Sequence, residues 1–440
     1  MTREGSLEAP QRHRIDWENP EFYNEDALMQ EMHRVFDICH GCRRCFNLCN
    51  AFPLLFDKVD ESPTGELDGV PKTVYWDVVD QCYLCDMCFM TKCPYVPPHQ
   101  FNLDFPHLML RAKSVKFKKG ETKFRDKLLS STDAMGKLAS IPVVVQVVNA
   151  VNKTPVMRKV MEGVLGIHKD RKLPEYDSKK FRNTIEKSSE FPIRDGANTP
   201  GKVAIYSTCY INYNEPGIGH DLTRILEHNE IPYTLVEKEV CCGMPKLELG
   251  DLDAVAKLKA INVPHLAKLA REGYAILTAI PSCTLMYKQE LPLMFPNDPD
   301  VALVRDAMFD PFEYLWLRNR DGLLKTDFKK SLGKVSYHIP CHLRVQNIGQ
   351  KTREMLQMAP DTKVNTVERC SGHDGTWGVK SEFFEMSMKI GKPVFKQMAN
   401  GEPDYVSSDC AIAGRHIVQG MGTNTEKQHP LTLIRIAYGL

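Results

Sequence analysis

Eight cysteines lie between Cys39 and Cys93, and their spacing constrains this chain more than any other feature. Cys39, Cys42, Cys45 and Cys49 form a C-x2-C-x2-C-x3-C run. A second run holds Cys82, Cys85 and Cys88 at two-residue gaps, then four residues lead to Cys93 and Pro94. Two-residue gaps let neighbouring thiolates converge, while the turns between them aim backbone N–H groups at the sulfurs.

Three such thiolates bind three irons, and a fourth from elsewhere closes a cubane; in paired motifs that fourth ligand is exchanged between the runs. This logic assigns one [4Fe–4S] cluster to Cys39, Cys42, Cys45 and Cys93. A second falls to Cys82, Cys85, Cys88 and Cys49. Structural zinc instead uses two separated C-x2-C pairs around one tetrahedral ion. Two departures touch loop geometry more than ligand count: Asn50 follows Cys49 where proline is usual, and the last gap is one residue longer than the common spacing. The connection from Cys49 to Cys82 carries Pro53, Pro63, Gly65, Gly69 and Pro71, and reads as an exposed loop.

The whole chain has 15 cysteines in 440 residues, an odd number, and its first twenty residues show no apolar signal region. A secreted disulfide scaffold is thereby disfavoured, and a cytoplasmic chain with metal or redox cysteines is expected. The 57 basic and 56 acidic residues nearly cancel, so bulk positive charge offers nothing to nucleic acid. The longest uncharged central stretch, Leu138 to Asn152, is broken by Pro142 and is too short to span a membrane.

Eight basic residues between Arg111 and Lys127 face only Glu121 and Asp126. After them come the apolar run Ile141 to Val148 and a helical repeat of Val156, Met157, Val160, Met161, Val164 and Leu165. A basic segment beside an amphipathic helix can dock on an anionic membrane face or an acidic partner. Amphipathic helices more often face their own core, so the expectation is a solvated charge run followed by core-packed helices. Peripheral membrane association is the alternative. Arg171 to Pro200 reads as a linker.

The second half repeats. Strand-like segments at Lys202–Tyr206, Tyr274–Thr278, Lys334–Tyr337 and Asp404–Ser407 each run toward a cysteine: Cys209, Cys283, Cys341 and Cys410. Cys209 matches Cys341 at an offset of 132, Cys241 and Gly243 match Cys370 and Gly372 at 129, and Cys283 matches Cys410 at 127. Scattered core cysteines would not recur in register. The glycine of each Cys-(Cys/Ser)-Gly turn is expected to allow backbone approach to whatever the thiolates hold.

Cys209, Cys241-Cys242-Gly243 and Cys283, with the segment Tyr337 to Leu343, resemble the cysteine-rich CCG domain. That domain occurs in pairs in heterodisulfide reductases, in glycolate and lactate oxidase iron–sulfur subunits, and in one of the subunits of anaerobic glycerol-3-phosphate dehydrogenases. The last group has the order met here, two ferredoxin motifs before two CCG domains. The resemblance implies an α+β multidomain fold: a tail over 1–30, a helical two-cluster ferredoxin domain over 31–110, a basic and amphipathic helical linker over 111–199, and α/β CCG repeats over 200–330 and 331–440. It also implies electron transfer, and in some members a further cluster on the CCG cysteines. Here the first repeat keeps Cys209, Cys241, Cys242 and Cys283, but Met286 stands where a C-x2-C would end. The second keeps Cys341, Cys370 and Cys410, with Ser371 and Ala413 in place of cysteines, and could recruit His373, His342, Asp374 or Asp409.

No G-x-G-x-x-G follows a strand and no Walker motif occurs, so flavin or nucleotide belongs on another protein. Neither G-x-S-x-G nor H-E-x-x-H is present. The expected function is an iron–sulfur electron-transfer subunit that works between a flavoprotein dehydrogenase, or another redox protein, and an acceptor such as a quinone. A heterodisulfide or thiol reductase with a catalytic CCG site is the alternative, ahead of a redox sensor.

Overall fold

The computed structural model describes residues 10–91, 93–423, 425 and 427–440; the first nine residues of the expected tail lie outside the described residues. Residues 10–24 lie against the rest of the chain. The Ile15 N–H donates to the Leu293 carbonyl and the Trp17 indole to that of Met294. Helix Glu25–Cys42 follows, capped by Asn24, whose side chain accepts from the Ala27 N–H. It buries Leu28, Met32, Val35 and Phe36 along one face and delivers Cys39 and Cys42 in its last turns.

The connection from Cys49 to Cys82 is not an exposed loop. It forms helices Ala51–Asp60 and Lys72–Gln81, which bury Phe52, Leu55, Phe56 and Val59 from one and Tyr75, Val78 and Val79 from the other. The prolines mislead because Pro53 sits in a first helical turn, where its missing N–H costs nothing, and Pro71 precedes the second helix.

Two parallel four-stranded sheets follow. β1 (Val203–Ile205), β2 (Tyr233–Leu235), β3 (Ala275–Leu277) and β4 (Met308–Phe309) run in the order β2-β1-β3-β4. β5 (Lys334–His338), β6 (Lys363–Val367), β7 (Tyr405–Ser408) and β8 (Lys427–Gln428) repeat that order as β6-β5-β7-β8. The four expected strands are the central ones, β1, β3, β5 and β7. Central parallel strands are covered on both faces, and β1 and β3 read as unbroken apolar runs; β5 and β7 bury serines, and the edge strand β8 is polar. The chain is thus α+β, with a helical N-terminal part followed by two α/β repeats.

The C-terminal helix Pro430–Tyr438 belongs by sequence to the second repeat but packs on helix Pro216–His228 of the first. Its Thr432 and Arg435 both bind Asp221. One core therefore holds Ile205 and Leu222 together with Val335, Tyr337 and Ile434.

His429 caps this helix. Its Nδ1 accepts from the Leu431 N–H at 3.2 Å and its Nε2 donates to the Asp409 carbonyl at 3.1 Å. Only a neutral imidazole does both. Burial first, and Lys427 second, hold its pKa down to about 4. An unfolded histidine takes a proton near pH 6.5, so in the window between these values the unfolded chain binds the extra proton. The full contribution is present above pH 6.5 and is lost as pH falls through about 4, at most about 3 kcal/mol. Urea unfolding at pH 7.5 and pH 5 is expected to show this slope in wild type and a flatter one in His429→Asn, which keeps a capping side chain.

The middle region overturns the expectation from amphipathicity. Helices Thr132–Ala139, Val144–Lys153 and Pro155–Leu165 turn their apolar sides outward, and their only buried residues are Gly136, Ala139, Val145 and Arg158. Nor is the preceding basic run simply solvated. Lys113 donates to the Cys82 carbonyl, Lys116 pairs with Asp80, Lys119 with Glu25 and Arg125 with Glu382. Among the described residues no single helix is long and apolar enough to cross a membrane.

Candidate functional site

The structure gathers the eight N-terminal cysteines into two sets of four. Cys39, Cys42, Cys45 and Cys93 line one recess, walled by Phe52 and Phe56. Cys49, Cys82, Cys85 and Cys88 line a second, walled by Phe52 and Phe105. Each recess takes its fourth cysteine from the other run. Leu84 and Asp86, between the cysteines of the second run, and Arg43 in the first adopt left-handed backbone (φ 52°, 61° and 54°). Such turns point successive N–H groups inward. The N–H groups of Ala51 and Phe52, opening a helix, reach the Cys49 sulfur, and that of Leu84 reaches Cys82.

As bare thiols these groups resist ionisation. Burial, then the neighbouring thiols Cys45, Cys93 and Cys42, pushes Cys39 far above its ordinary value. Burial raises Cys82 to about 11 and drives Cys85 and Cys88 well above the usual thiol range. A donor set of crowded, buried thiols becomes a set of thiolates only around bound metal. Among the described residues no three His, Cys, Asp or Glu side chains close on a single metal ion. Each recess is lined by four cysteines, the donor set that iron–sulfur clusters take.

The two recesses touch. Phe52 borders both, and Cys45 of the first set lies close enough to Cys88 of the second to raise its pKa. Beyond the second recess comes a cavity of about 110 Å³, lined by Cys341, Cys370 and Cys410 of the second repeat. Tyr83, Cys85 and Asp374 border both the second recess and this cavity. Burial and then Cys341 raise the Cys85 thiol. The cysteine-poor repeat, not the cysteine-rich one, therefore abuts the second recess.

Within this cavity Ser371 stands beside Cys370, whose sulfur accepts from the Gly372 N–H at 3.3 Å and lies 3.6 and 3.7 Å from the Asp374 carboxylate oxygens. Burial raises Asp374 to about 6. His342 and His373 also line the cavity, but both are held neutral by burial. His342 sets its Nε2 3.4 Å from the Leu84 carbonyl, and His373 packs edge-on against His416. Asp409 is not part of the lining, being gripped by Tyr337 and Thr352. Sequence reasoning missed Tyr83 and Glu248, which also face the cavity. Burial raises Glu248 to about 8. Tyr83 occupies a variable position inside the Cys82–Cys85 spacing and Glu248 lies outside any cysteine motif, so neither carries a local signal of this role.

The four cysteines of the first repeat also converge. Cys209 follows β1, Cys283 follows β3, and Cys241-Cys242 lie in the turn after β2, at the carboxyl ends of parallel strands where α/β sheets hold ligands. Cys241 takes hydrogen bonds from Cys209 and Cys242, which hold its pKa well below the usual thiol range, while Cys242 also reaches Cys283. The Thr132 hydroxyl donates to the Cys241 sulfur at 3.3 Å, and Asp133 accepts from the Cys241 N–H at 2.8 Å. Met286 is buried beneath them and opens a π-helical turn. The two motif glycines differ. A Cβ on Gly243 (φ 100°) would meet Met286, Val255 and Leu258 only at ordinary contact distances of 3.5 to 3.8 Å, so backbone conformation alone requires glycine. A Cβ on Gly372 (φ 80°) would collide with the Ser387 carbonyl, so its close approach is to the protein's own chain.

Residues 203–288 and 335–414 each match the cysteine-rich CCG domain. The chain carries two CCG cysteine-rich domains. It is 29% identical over 330 residues to one of the subunits of the anaerobic glycerol-3-phosphate dehydrogenase of Escherichia coli, covering 74% of this chain and 80% of that one. One of the subunits of the fumarate reductase (CoM/CoB) of Methanothermobacter marburgensis is 26% identical over 63% of this chain and 55% of its own length. Lactate utilization protein A of Bacillus cytotoxicus is 25% identical over 52% of this chain and 96% of its own. Both matched CCG segments contain a sheet whose strand ends lead to cysteines, the first CCG domain with four and the second with three.

Proposed function

We propose that this chain is an iron–sulfur electron-transfer subunit of an oxidoreductase. Cys39, Cys42, Cys45 and Cys93 would hold one [4Fe–4S] cluster, and Cys82, Cys85, Cys88 and Cys49 a second. Clusters so held supply one-electron transfer over a wide range of potentials. The observation that carries the reading is the unbroken series of shared walls. Phe52 joins the two recesses, and Tyr83, Cys85 and Asp374 join the second to the cavity of the second CCG domain.

The chain's own residues set the conditions at each stage. Phe52, Phe56 and Phe105 exclude water from the thiolates. Asp374 and Glu248, with pKa values of about 6 and about 8, place exchangeable protons at the cavity wall, as an acceptor that takes up protons with electrons requires. A quinone fits that description, and a flavoprotein dehydrogenase fits the opposite end of the series, at the first recess.

The alternative, a thiol or heterodisulfide reductase, is favoured by one observation: Cys209 and Cys242 hydrogen-bond to the Cys241 sulfur, Cys242 also reaches Cys283, and the Thr132 hydroxyl donates to Cys241 at 3.3 Å. Protein purified without oxygen is expected to hold about eight irons with matching sulfide, in two clusters distinct by EPR, and to pass electrons from an artificial donor to a quinone analogue. Iron above eight that disappears in Cys241→Ser would place a further cluster at the first CCG site. Fewer than about four irons would overturn the electron-transfer reading. Cleavage of a disulfide by the isolated chain with an artificial donor, abolished by Cys241→Ser, would establish the alternative instead.

A further inference from the structure

From Ala134 to Met161 the sequence contains no acidic residue, and carries Lys137, Lys153, Arg158 and Lys159. The three helices built from this stretch are consecutive and in contact, the first two meeting at 109°. They expose Leu138, Val143, Val147, Val156, Val160 and Val164, with Val143 at 71% and Val164 at 76%. The third helix is inverted relative to an ordinary surface helix. Its one buried side chain is Arg158, 4% exposed, which donates to the backbone carbonyls of His168, Lys169 and Arg171. Burying the guanidinium and leaving the valines in water reverses what hydrophobic burial favours in a free-standing soluble surface.

We propose that this three-helix face docks the protein on an anionic lipid bilayer. Helices with aliphatic residues on one face and lysines at the margins bind in the interfacial plane, held by apolar burial and by attraction to anionic headgroups. The two acidic residues of these helices are engaged by the protein itself, Asp133 by the Cys241 N–H and Glu162 by the Lys169 N–H. The sharp bend suits a wedge lying in the interface rather than a span. A protein contact is the weaker fit, because the cores of such contacts favour aromatic residues and arginine and are depleted in lysine. This face is aliphatic, its lysines are exposed, and its arginine is turned inward. The face also begins at the first CCG site, since Thr132 and Asp133 at the start of the first helix hold Cys241. Docking therefore brings those thiols toward the bilayer. The inference stands apart from the electron-transfer reading, because vesicle binding needs no redox activity.

Flotation of the full-length protein with vesicles tests it, using phosphatidylcholine alone and phosphatidylcholine mixed with phosphatidylglycerol. Wild type is expected to bind the mixed vesicles at least about tenfold more tightly, and binding is expected to fall as salt rises. A combined Val143→Glu, Val156→Glu, Val160→Glu variant is expected to lose vesicle binding by at least about tenfold with unchanged iron content. A combined Lys137→Glu, Lys153→Glu, Lys159→Glu variant is expected to lose the preference for phosphatidylglycerol while its urea midpoint stays at the wild-type value. Wild type that ignores both vesicle types overturns the proposal, as does the valine variant binding like wild type. An unchanged preference in the lysine variant overturns the anionic part. Self-association of wild type without vesicle binding, abolished by the valine variant, would make the face a protein contact and reject the bilayer.

Discussion

Cys85→Ser is expected to remove about four irons of about eight and to lower quinone-analogue reduction by about 100-fold or more, while the EPR signal of the other cluster persists. Cys85 is the informative cysteine because it lines both the second recess and the cavity of the second CCG domain. Cys39 lies in the first recess only, so Cys39→Ser is expected to remove the complementary signal. Cys370→Ser is expected to retain about eight irons and to lose activity at the acceptor alone. Iron analysis with EPR of the three variants checks the order of the centres. Full activity in Cys85→Ser would mean that electrons do not pass from the second recess toward this cavity.

Arg12→Ala is expected to destabilise the protein by about 3–5 kcal/mol, measured by urea unfolding, and to lose the second cluster before the first. The Arg12 guanidinium is buried and bridges three carboxylates: Asp86 at 2.8 Å, Asp104 at 3.0 Å and Glu290 at 3.4 Å. It also stacks 4.5 Å from the centre of the Phe89 ring. Burial alone would lower its pKa, but the three carboxylates outweigh that and raise it. Without it His107 is left as the cation beside those acids, contacting Asp104 and Glu290 at 3.3 Å. Asp86 is the left-handed residue between Cys85 and Cys88, so its anchor holds the second recess in shape. Arg12→Lys keeps the charge but not the planar fork, and an intermediate loss is expected. A change below about 1 kcal/mol in Arg12→Ala would show that the network contributes no more than an exposed ion pair.

How much was legible varied by element. Cys39 to Cys93 could be sorted into two sets because two-residue gaps leave few ways for thiols to converge, and each recess contains the expected four. β1 and β3 could be read because burial on both faces imposes continuous apolar runs, and the more polar β5 and β7 because they repeat the run of a strand toward a cysteine. The helices between Cys49 and Cys82 were obscured by prolines whose helical position is harmless, which composition alone does not distinguish. Glu248 and Arg12 lie in no motif, and Tyr83 fills a variable position between Cys82 and Cys85. Their roles arise from contacts across long stretches of chain, such as Arg12 with Glu290, and no local pattern encodes such a contact.

The sequence by itself determined which thiols can share a centre, because covalent spacing over two or three residues limits their geometry whatever the rest of the chain does. It also determined that the second half is a repeat, because the same cysteines and glycines return in register. Only the tertiary structure decided that the second CCG domain, with three cysteines, borders the second recess. Only the structure decided which way the amphipathic helices of the middle region face. Periodicity specifies that a helix has an apolar side, but whether that side meets the core or the outside depends on what the remaining chain has already covered.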